Sequence, residues 1–243
     1  MITIRKAMVM GAGLGTRMRP LTDAMPKPLV PLAGRTLIDH VLDRLAEAGV
    51  MEAVVNAHYR ADQLADHLRR RTMRGRAPYI SLSDERKKLL DTGGGIKHAL
   101  PLLGDDPVIT FNSDSVWVED EGESALGSLM RAFDPGRMDA LLLLADTATS
   151  IGFVGKGDFD MASDGRLTRR QPDAAAPHVF MGVQIIKPGL FADGPGGPFS
   201  TNLIWDRLIG RGRLFGLPLK GRWMHVGSPA DRDAAEAFLT GRS

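Results

Sequence analysis

Residues 8–34, MVMGAGLGTRMRPLTDAMPKPLVPLAG, constrain the fold more than any other stretch of the chain. The apolar run 4–10 is short and stopped by Gly11, the pattern of a buried strand. It opens into a glycine loop rather than a hairpin. From Thr36, a fair N-cap, the apolar period becomes helical, with Leu37, Ile38, Val41, Leu42 and Leu45 on one stripe and Gly49 as the stop. Residues 51–57 read as a second buried strand, and 61–71 as a helix with Leu64 and Leu68 inward and its arginines outward. Strand, loop, helix, strand in this order needs parallel pairing, hence an α/β sheet flanked by helices.

The pattern continues with a strand at 79–83, a helix opened by TGGG and running to Leu103, and a strand at 107–111 that delivers Asn112, Ser113 and Asp114 at its carboxyl end. Open α/β sheets bind ligands at that end. A helix over 124–133 and a strand over 139–145 follow. Residues 151–186 change rhythm to glycine-punctuated segments that read as antiparallel hairpins. A helix at 201–210, short strands around Leu214 and Trp223, and a last helix capped by Ser228, Pro229 and Asp231 complete the reading. The 243 residues fit one domain, 1–243, whose mostly parallel first part ends near residue 145.

Composition narrows the partners. Thirty-one basic against 29 acidic residues leave a formal charge of +2, so no whole-molecule field draws nucleic acid or an anionic membrane. Zero cysteines exclude disulfides, thiolate nucleophiles and Cys-ligated metals, and fit a reducing, cytoplasmic location. The longest apolar run, 140–145, falls far short of the ~20 residues a membrane span needs.

The loop GAGLGTR admits several readings. A dinucleotide fingerprint needs a third glycine where Thr16 stands and an acidic residue ending the second strand, and MEAVVNAH has none there. P-loop spacing is absent. A third reading is a cradle of backbone N–H groups for a triphosphate. Gly11, Ala12, Gly13, Gly15 and Thr16 supply the backbone, and Arg17 reaches phosphate oxygens from within the loop. Lys27, between Pro26 and Pro28, then converges on the same anion from stiff backbone. A plain glycine-rich turn carrying surface cations is the alternative.

GAGLGTRMRPLT, PKPLVPLAG, LDTGGGIKHALPLLGD, FNSDSVW, GKGDF, FMGVQII and RWMHVGS, in this order, resemble the sugar-1-phosphate nucleotidyltransferases. The resemblance implies a Rossmann-like, glycosyltransferase-A-like sheet with a nucleotide-binding half, 1–145, and a small antiparallel sugar-binding part within 146–243. It also implies transfer of a nucleoside monophosphate from a triphosphate to a sugar 1-phosphate, with release of pyrophosphate. DTGGGI and ALPLLGD are most similar to the branch that joins UTP to N-acetylmuramate 1-phosphate in cell-wall sugar recycling. Mannose-1-phosphate guanylyl transfer and a catalytically weak regulatory homologue are the alternatives. Arg17, Lys27 and Asp114 are the catalytic candidates that the resemblance implies. Asp114 would hold Mg²⁺, or Mn²⁺ or another divalent ion, unless it is a turn cap at a strand end. Gly93 and Gly94 would let base and ribose lie on bare backbone. Asn112, Asp158, Gly182 and Asn202 fall in motifs that contact sugar. One departure stands out: RWMHVGS has His225 where the family carries a second acidic metal ligand, so His225 is either a metal ligand of softer preference, a phosphate contact, or a packed histidine. An N-acetylmuramate substrate adds a lactyl carboxylate that wants a cation, for which Lys156, Lys187 and Arg222 are the candidates.

Overall fold

The computed structural model describes residues 3–122 and 124–241. Strand β1 (Lys6–Met10) leads through the glycine loop and the short helix α1 (Leu21–Ala24) to a small ribbon, β2 (Pro31–Leu32) and β3 (Arg35–Thr36), which sets up α2 (Leu37–Glu47). Then come β4 (Glu52–Ala57), α3 (Ala61–Met73), β5 (Tyr79–Asp84), α4 (Asp91–Leu103) and β6 (Val108–Asn112). β7 (Ser115–Glu119), α5 (Ala125–Ala132) and β8 (Ala140–Asp146) follow, then the hairpin β9 (Phe159–Met161) and β10 (Leu167–Arg169) and the long strand β11 (His178–Ile186). The chain closes with α6 (Asn202–Gly210), β12 (Leu214–Pro218), β13 (Gly221–His225) and α7 (Pro229–Leu239).

The main sheet runs β5, β4, β1, β6, β11, β8, β12. β5, β4, β1 and β6 are mutually parallel, β12 is parallel to β8, β11 runs against both β6 and β8, and the β9–β10 hairpin joins the same sheet antiparallel through β11. Strand residues alternate between two apolar layers, as the pleat requires. Val9, Val55 and Leu143 pack with Leu42 of α2, Leu64 of α3 and Leu129 of α5. Met8, Val54 and Leu142 pack with Ile96 of α4 and Ile204 of α6 on the other face. Helix starts follow the caps read from sequence: Thr36 accepts from Asp39 N at 3.3 Å and Ser228 from Asp231 N at 3.2 Å. Among the described residues no helix is long and apolar enough to cross a membrane.

Three details differ from the sequence reading. Residues 178–186, expected among peripheral hairpins, form one strand through the middle of the sheet. Gly182 punctuates it as a bulge, with φ +89° and a register shift between Phe180 and Val183. The sheet thus draws strands from both halves of the chain. Second, β7 pairs with β13 in a separate antiparallel ribbon, a pairing that local periodicity does not reveal. Third, not every arginine of α3 faces outward. Arg71 is buried, donating to Asp39 Oδ1 at 2.9 Å, Asp43 Oδ1 at 2.6 Å and the Ala77 carbonyl at 2.6 Å, so paired charge rather than apolar contact ties α3 to α2.

Candidate active site

β1, β4 and β6 end side by side, and a cleft of ≈ 360 Å³ opens at their carboxyl ends. The glycine loop forms one wall, and its local geometry explains its glycines. Gly11 donates its N–H to Asn56 Oδ1 at 2.7 Å, and a Cβ there would sit 2.9 Å from the Asn56 carbonyl oxygen. Gly15 has φ +64°, and its carbonyl accepts from Met18 N at 2.9 Å and from Thr22 Oγ1 at 2.8 Å. A Cβ on Gly15 would lie 2.9 Å from Thr22 Cγ2 and 3.1 Å from Lys27 Cβ. Gly13 faces open space. Among the described residues, no backbone N–H from Gly13 to Arg17 has a protein acceptor, so the loop presents a row of unsatisfied donors.

Arg17, Lys27 and Asp114 all line this cleft, with Ala12 and Thr16. The Arg17 guanidinium is exposed and has no protein acceptor among the described residues. Lys27 sits at the start of a 3-10 turn behind Pro26, where Leu29 N bonds the Pro26 carbonyl at 2.9 Å. Its Nζ reaches Asp114 Oδ2 at 2.5 Å across 87 residues of chain. Burial pushes the Asp114 carboxyl up, but the Lys27 ammonium, its hydrogen bond and His225 outweigh this and hold it below the usual carboxylate range. The ribbon β7–β13 brings His225 here, because the register pairs it with Ser115, the neighbour of Asp114. Burial, with Lys27 and Arg17 nearby, pushes the His225 imidazole down against the pull of Asp114 and Asp231, which favours the neutral ring. Gly227 keeps room for it, since a Cβ there would meet His225 Nε2 at 2.5 Å.

The triple glycine has a job that its sequence position does not announce. The N–H groups of Gly93 and Gly94 both donate to the Phe199 carbonyl, at 2.8 and 3.0 Å. A Cβ on Gly93 would lie 2.5 Å from the Phe199 ring, one on Gly94 would lie 2.6 Å from Gly197 O, and neither glycine lines the cleft. Close packing of the 197–199 loop on α4 therefore accounts for them, and Asp91 and Thr92 are the residues of that helix start which face the cleft. Behind them a buried pair escaped the sequence reading: Asn56 Nδ2 donates to Glu85 Oε1 at 2.7 Å, and Leu90 N donates to Glu85 Oε2 at 3.1 Å. Both side chains line the cleft.

A second cavity of ≈ 290 Å³ adjoins the first and shares Met10, Thr92 and Asn112 with it. Asp158 and Asn202 line it. Asp158 is held by Phe180 N, which donates to its Oδ2 at 2.9 Å. Gly182 lies beneath rather than in the cavity: a Cβ on it would meet Asn112 Cβ at 2.9 Å, so its bare Cα seats Asn112. None of the three cations considered for a lactyl carboxylate lines either cavity. Lys187 bonds Asp139 Oδ1 at 2.5 Å and the Pro135 carbonyl at 3.0 Å, Arg222 lies over the Phe238 ring at 5.4 Å, and Lys156 is exposed. Arg169 is the cation that does line the second cavity, beside Trp205.

The two cavities thus meet at Met10, Thr92 and Asn112. Residues 6–149 match the nucleotidyl transferase family. The chain is 53% identical over 233 residues to the N-acetylmuramate alpha-1-phosphate uridylyltransferase of Caulobacter vibrioides, covering 96% of both proteins. It is 33% identical to the protein of the same name from Neisseria meningitidis, covering 96% of this chain and 97% of that one. A solved UDP-glucose pyrophosphorylase with UDP-glucose superposes with a TM-score of 0.79 at 18% identity, covering 99% of this chain and 100% of that chain, a likeness of fold. With its glycine loop, its Lys27 and its strand-end Asp114 gathered in one cleft, the chain belongs to the nucleotidyl transferase family.

Proposed function

We propose that the protein joins UTP to N-acetylmuramate 1-phosphate, giving UDP-N-acetylmuramate and pyrophosphate in the cytoplasmic reuse of a cell-wall sugar. The observation that carries this reading is the meeting of Arg17, Lys27 and Asp114 in one cleft that opens into a second, sugar-sized cavity. The 53% identity with a uridylyltransferase of that name supports the choice of substrates.

A sugar 1-phosphate needs no general base, because its second pKa is about 6 and at neutral pH it is already mostly a dianion. Its oxygen attacks the α-phosphorus of UTP; the bond from that phosphorus to the β-bridging oxygen breaks, and pyrophosphate leaves with the electron pair. The protein's task is to hold two mutually repelling anions in line and to compensate charge as it moves to the leaving group. The N–H row from Gly13 to Arg17 receives the β and γ oxygens. Arg17 adds a forked pair of donors to them. Lys27 lies between the α-phosphate and the incoming sugar phosphate, where its charge lowers their repulsion.

The residues around Asp114 fit a divalent cation of the hard type. Among the described residues no three His, Cys, Asp or Glu side chains cluster, so the protein would hold the ion through the Asp114 carboxylate and, from β13, the neutral His225 ring. When bound, such an ion would neutralise phosphate charge. Mg²⁺ is the first candidate, and the imidazole opens the site to Mn²⁺.

The test is a panel of four triphosphates against the 1-phosphates of N-acetylmuramate, N-acetylglucosamine, glucose and mannose, scored by pyrophosphate with Mg²⁺ or Mn²⁺. UTP with N-acetylmuramate 1-phosphate is expected to give the highest kcat/KM. A preference for GTP with mannose 1-phosphate overturns the substrate assignment. Absence of pyrophosphate with every pair favours the regulatory reading that His225 raises.

A further inference from the structure

The second cavity contains a device that a neutral sugar would not require. Arg169 ends β10 opposite Phe159 of β9, and its guanidinium lies 4.9 Å from the Phe159 ring centroid and 5.5 Å from that of Trp205. Nε donates to Asp206 Oδ1 at 2.8 Å, and Nη2 donates to Asn202 Oδ1 at 3.0 Å and to the Asn202 carbonyl at 3.4 Å. Nη1 has no acceptor among the described residues. A guanidinium stacked on two rings and braced along one edge has lost most of its rotamer freedom, so a carboxylate meeting the remaining nitrogen does not have to order it.

Charge inside the cavity is sparse. Asp158 and Arg169 are the ionisable side chains that line it, and the other polar lining groups are neutral, such as Asn112, Gln184 and Thr201. Asp158 repels an anion and suits hydroxyl or amide donors. Thr92 and Asn112 belong to both cavities, which fixes the end of the sugar that carries the phosphate. Arg169 is absent from the first cleft's lining, so it meets the sugar away from that phosphate. We propose that Arg169 reads a carboxylate on the substrate sugar, in N-acetylmuramate the lactyl group, and thereby separates this acidic sugar from its neutral parent. The inference rests on the substrate reading above and adds the residue that enforces it.

The experiment compares kcat and KM for N-acetylmuramate 1-phosphate and N-acetylglucosamine 1-phosphate, with UTP saturating, in the wild type, Arg169→Gln, Arg169→Lys and Asp206→Asn. Wild type is expected to favour the acidic sugar. Arg169→Gln should shrink the ratio of the two kcat/KM values by about 10- to 100-fold, the range for one charge-assisted hydrogen bond, mainly by raising KM for the acidic sugar. Arg169→Lys keeps charge but not the planar fork and should give an intermediate ratio. Asp206→Asn removes one brace but leaves the guanidinium charge and its contacts with Asn202 and the two rings, so it should shrink the ratio less than Arg169→Gln does; a loss in Asp206→Asn larger than that in Arg169→Gln overturns the assignment. If wild type shows no preference for the acidic sugar, the substrate reading fails. If wild type prefers it and Arg169→Gln does too, only the role of Arg169 fails. Should Arg169→Gln not fold, an unchanged ratio in Arg169→Lys overturns the assignment on its own.

Discussion

Gly15 shows how a single residue ties backbone conformation to chemistry. Its φ of +64° places it in the left-handed region, and its missing side chain gives Thr22 and Lys27 their positions. Gly15→Ala should lose about 1–3 kcal/mol of stability by thermal or urea unfolding, and should lower kcat/KM further because Lys27 Cβ must yield. Arg17 is bound by no protein group among the described residues, so Arg17→Ala should leave unfolding unchanged while reducing kcat by about 10²- to 10³-fold, the usual range for a charge-stabilising donor. Stability loss comparable with the Gly15 variant would make Arg17 structural. His225→Asp should lower the Mg²⁺ concentration needed for half-maximal rate, and an unchanged Mg²⁺ dependence removes His225 from the metal's ligands. Arg17 and Lys27 stood out in the sequence because glycine, proline and charge are dense around them, and Asp114 because a buried strand ends there in a motif that resembles the family's. Asn56, Glu85 and Arg169 were not, since each becomes a site residue only when strands far apart in sequence pack together.

Among the elements, α2 and α3 are joined by a cluster of paired charges. Arg71 serves Asp39 and Asp43 at once, while Thr36 Oγ1 donates to Asp39 Oδ2 at 2.7 Å and His67 Nε2 lies 3.0 Å from the same oxygen. Burial pushes the Asp39 carboxyl up, but the hydrogen bonds from His67, Thr36 and Arg71 win and place it far below its ordinary value. A folded-state pKa below the unfolded one contributes stability that is complete above the unfolded value and is lost as pH falls through the folded one. Stability should therefore decline once pH drops below about 4, and Asp39→Asn should flatten that slope as well as lower the plateau. Arg71→Met should cost about 1–3 kcal/mol in urea unfolding, because it removes buried donors from Asp39, Asp43 and the Ala77 carbonyl while Asp39 keeps Thr36 and His67 and Asp43 keeps Arg35 and Arg76; a change under about 0.5 kcal/mol would mean that water already screens the cluster. Periodicity revealed the helices here, since Leu64 and Leu68 fall at helical spacing. It assigned Arg71 to solvent because charge alone carries no sign of a partner across the helix pair. The same limit applies to β11, where Gly182 looks like a hairpin break until Asn112 is seen packed on it.

At the scale of the whole molecule, the parallel strands β1, β4 and β6 build the first cleft, proposed to take the phosphates, and β11, the β9–β10 hairpin and α6 line the second, proposed to take the sugar. In the first 145 residues the repeated βα units were readable because each repeats one apolar rhythm, whereas α1, the β2–β3 ribbon and β7 carry no such rhythm and were not. In the later part α6, β12, β13 and α7 were readable as elements, but not how β11 joins the existing sheet or how β13 pairs with β7, since both pairings are made at long range. The proposed reaction would need both cavities filled at once, with the α-phosphorus where they meet. The most direct test is a crystal structure with a UTP analogue whose α,β-bridging oxygen is replaced by carbon, together with N-acetylmuramate 1-phosphate. The triphosphate is expected within about 3 Å of the N–H groups of Gly13 to Arg17 and of the Arg17 guanidinium, and the α-phosphate beside Lys27 and Asp114. A triphosphate seated elsewhere, or one that leaves Lys27 and Asp114 without contact to either ligand, contradicts the shared-cleft mechanism.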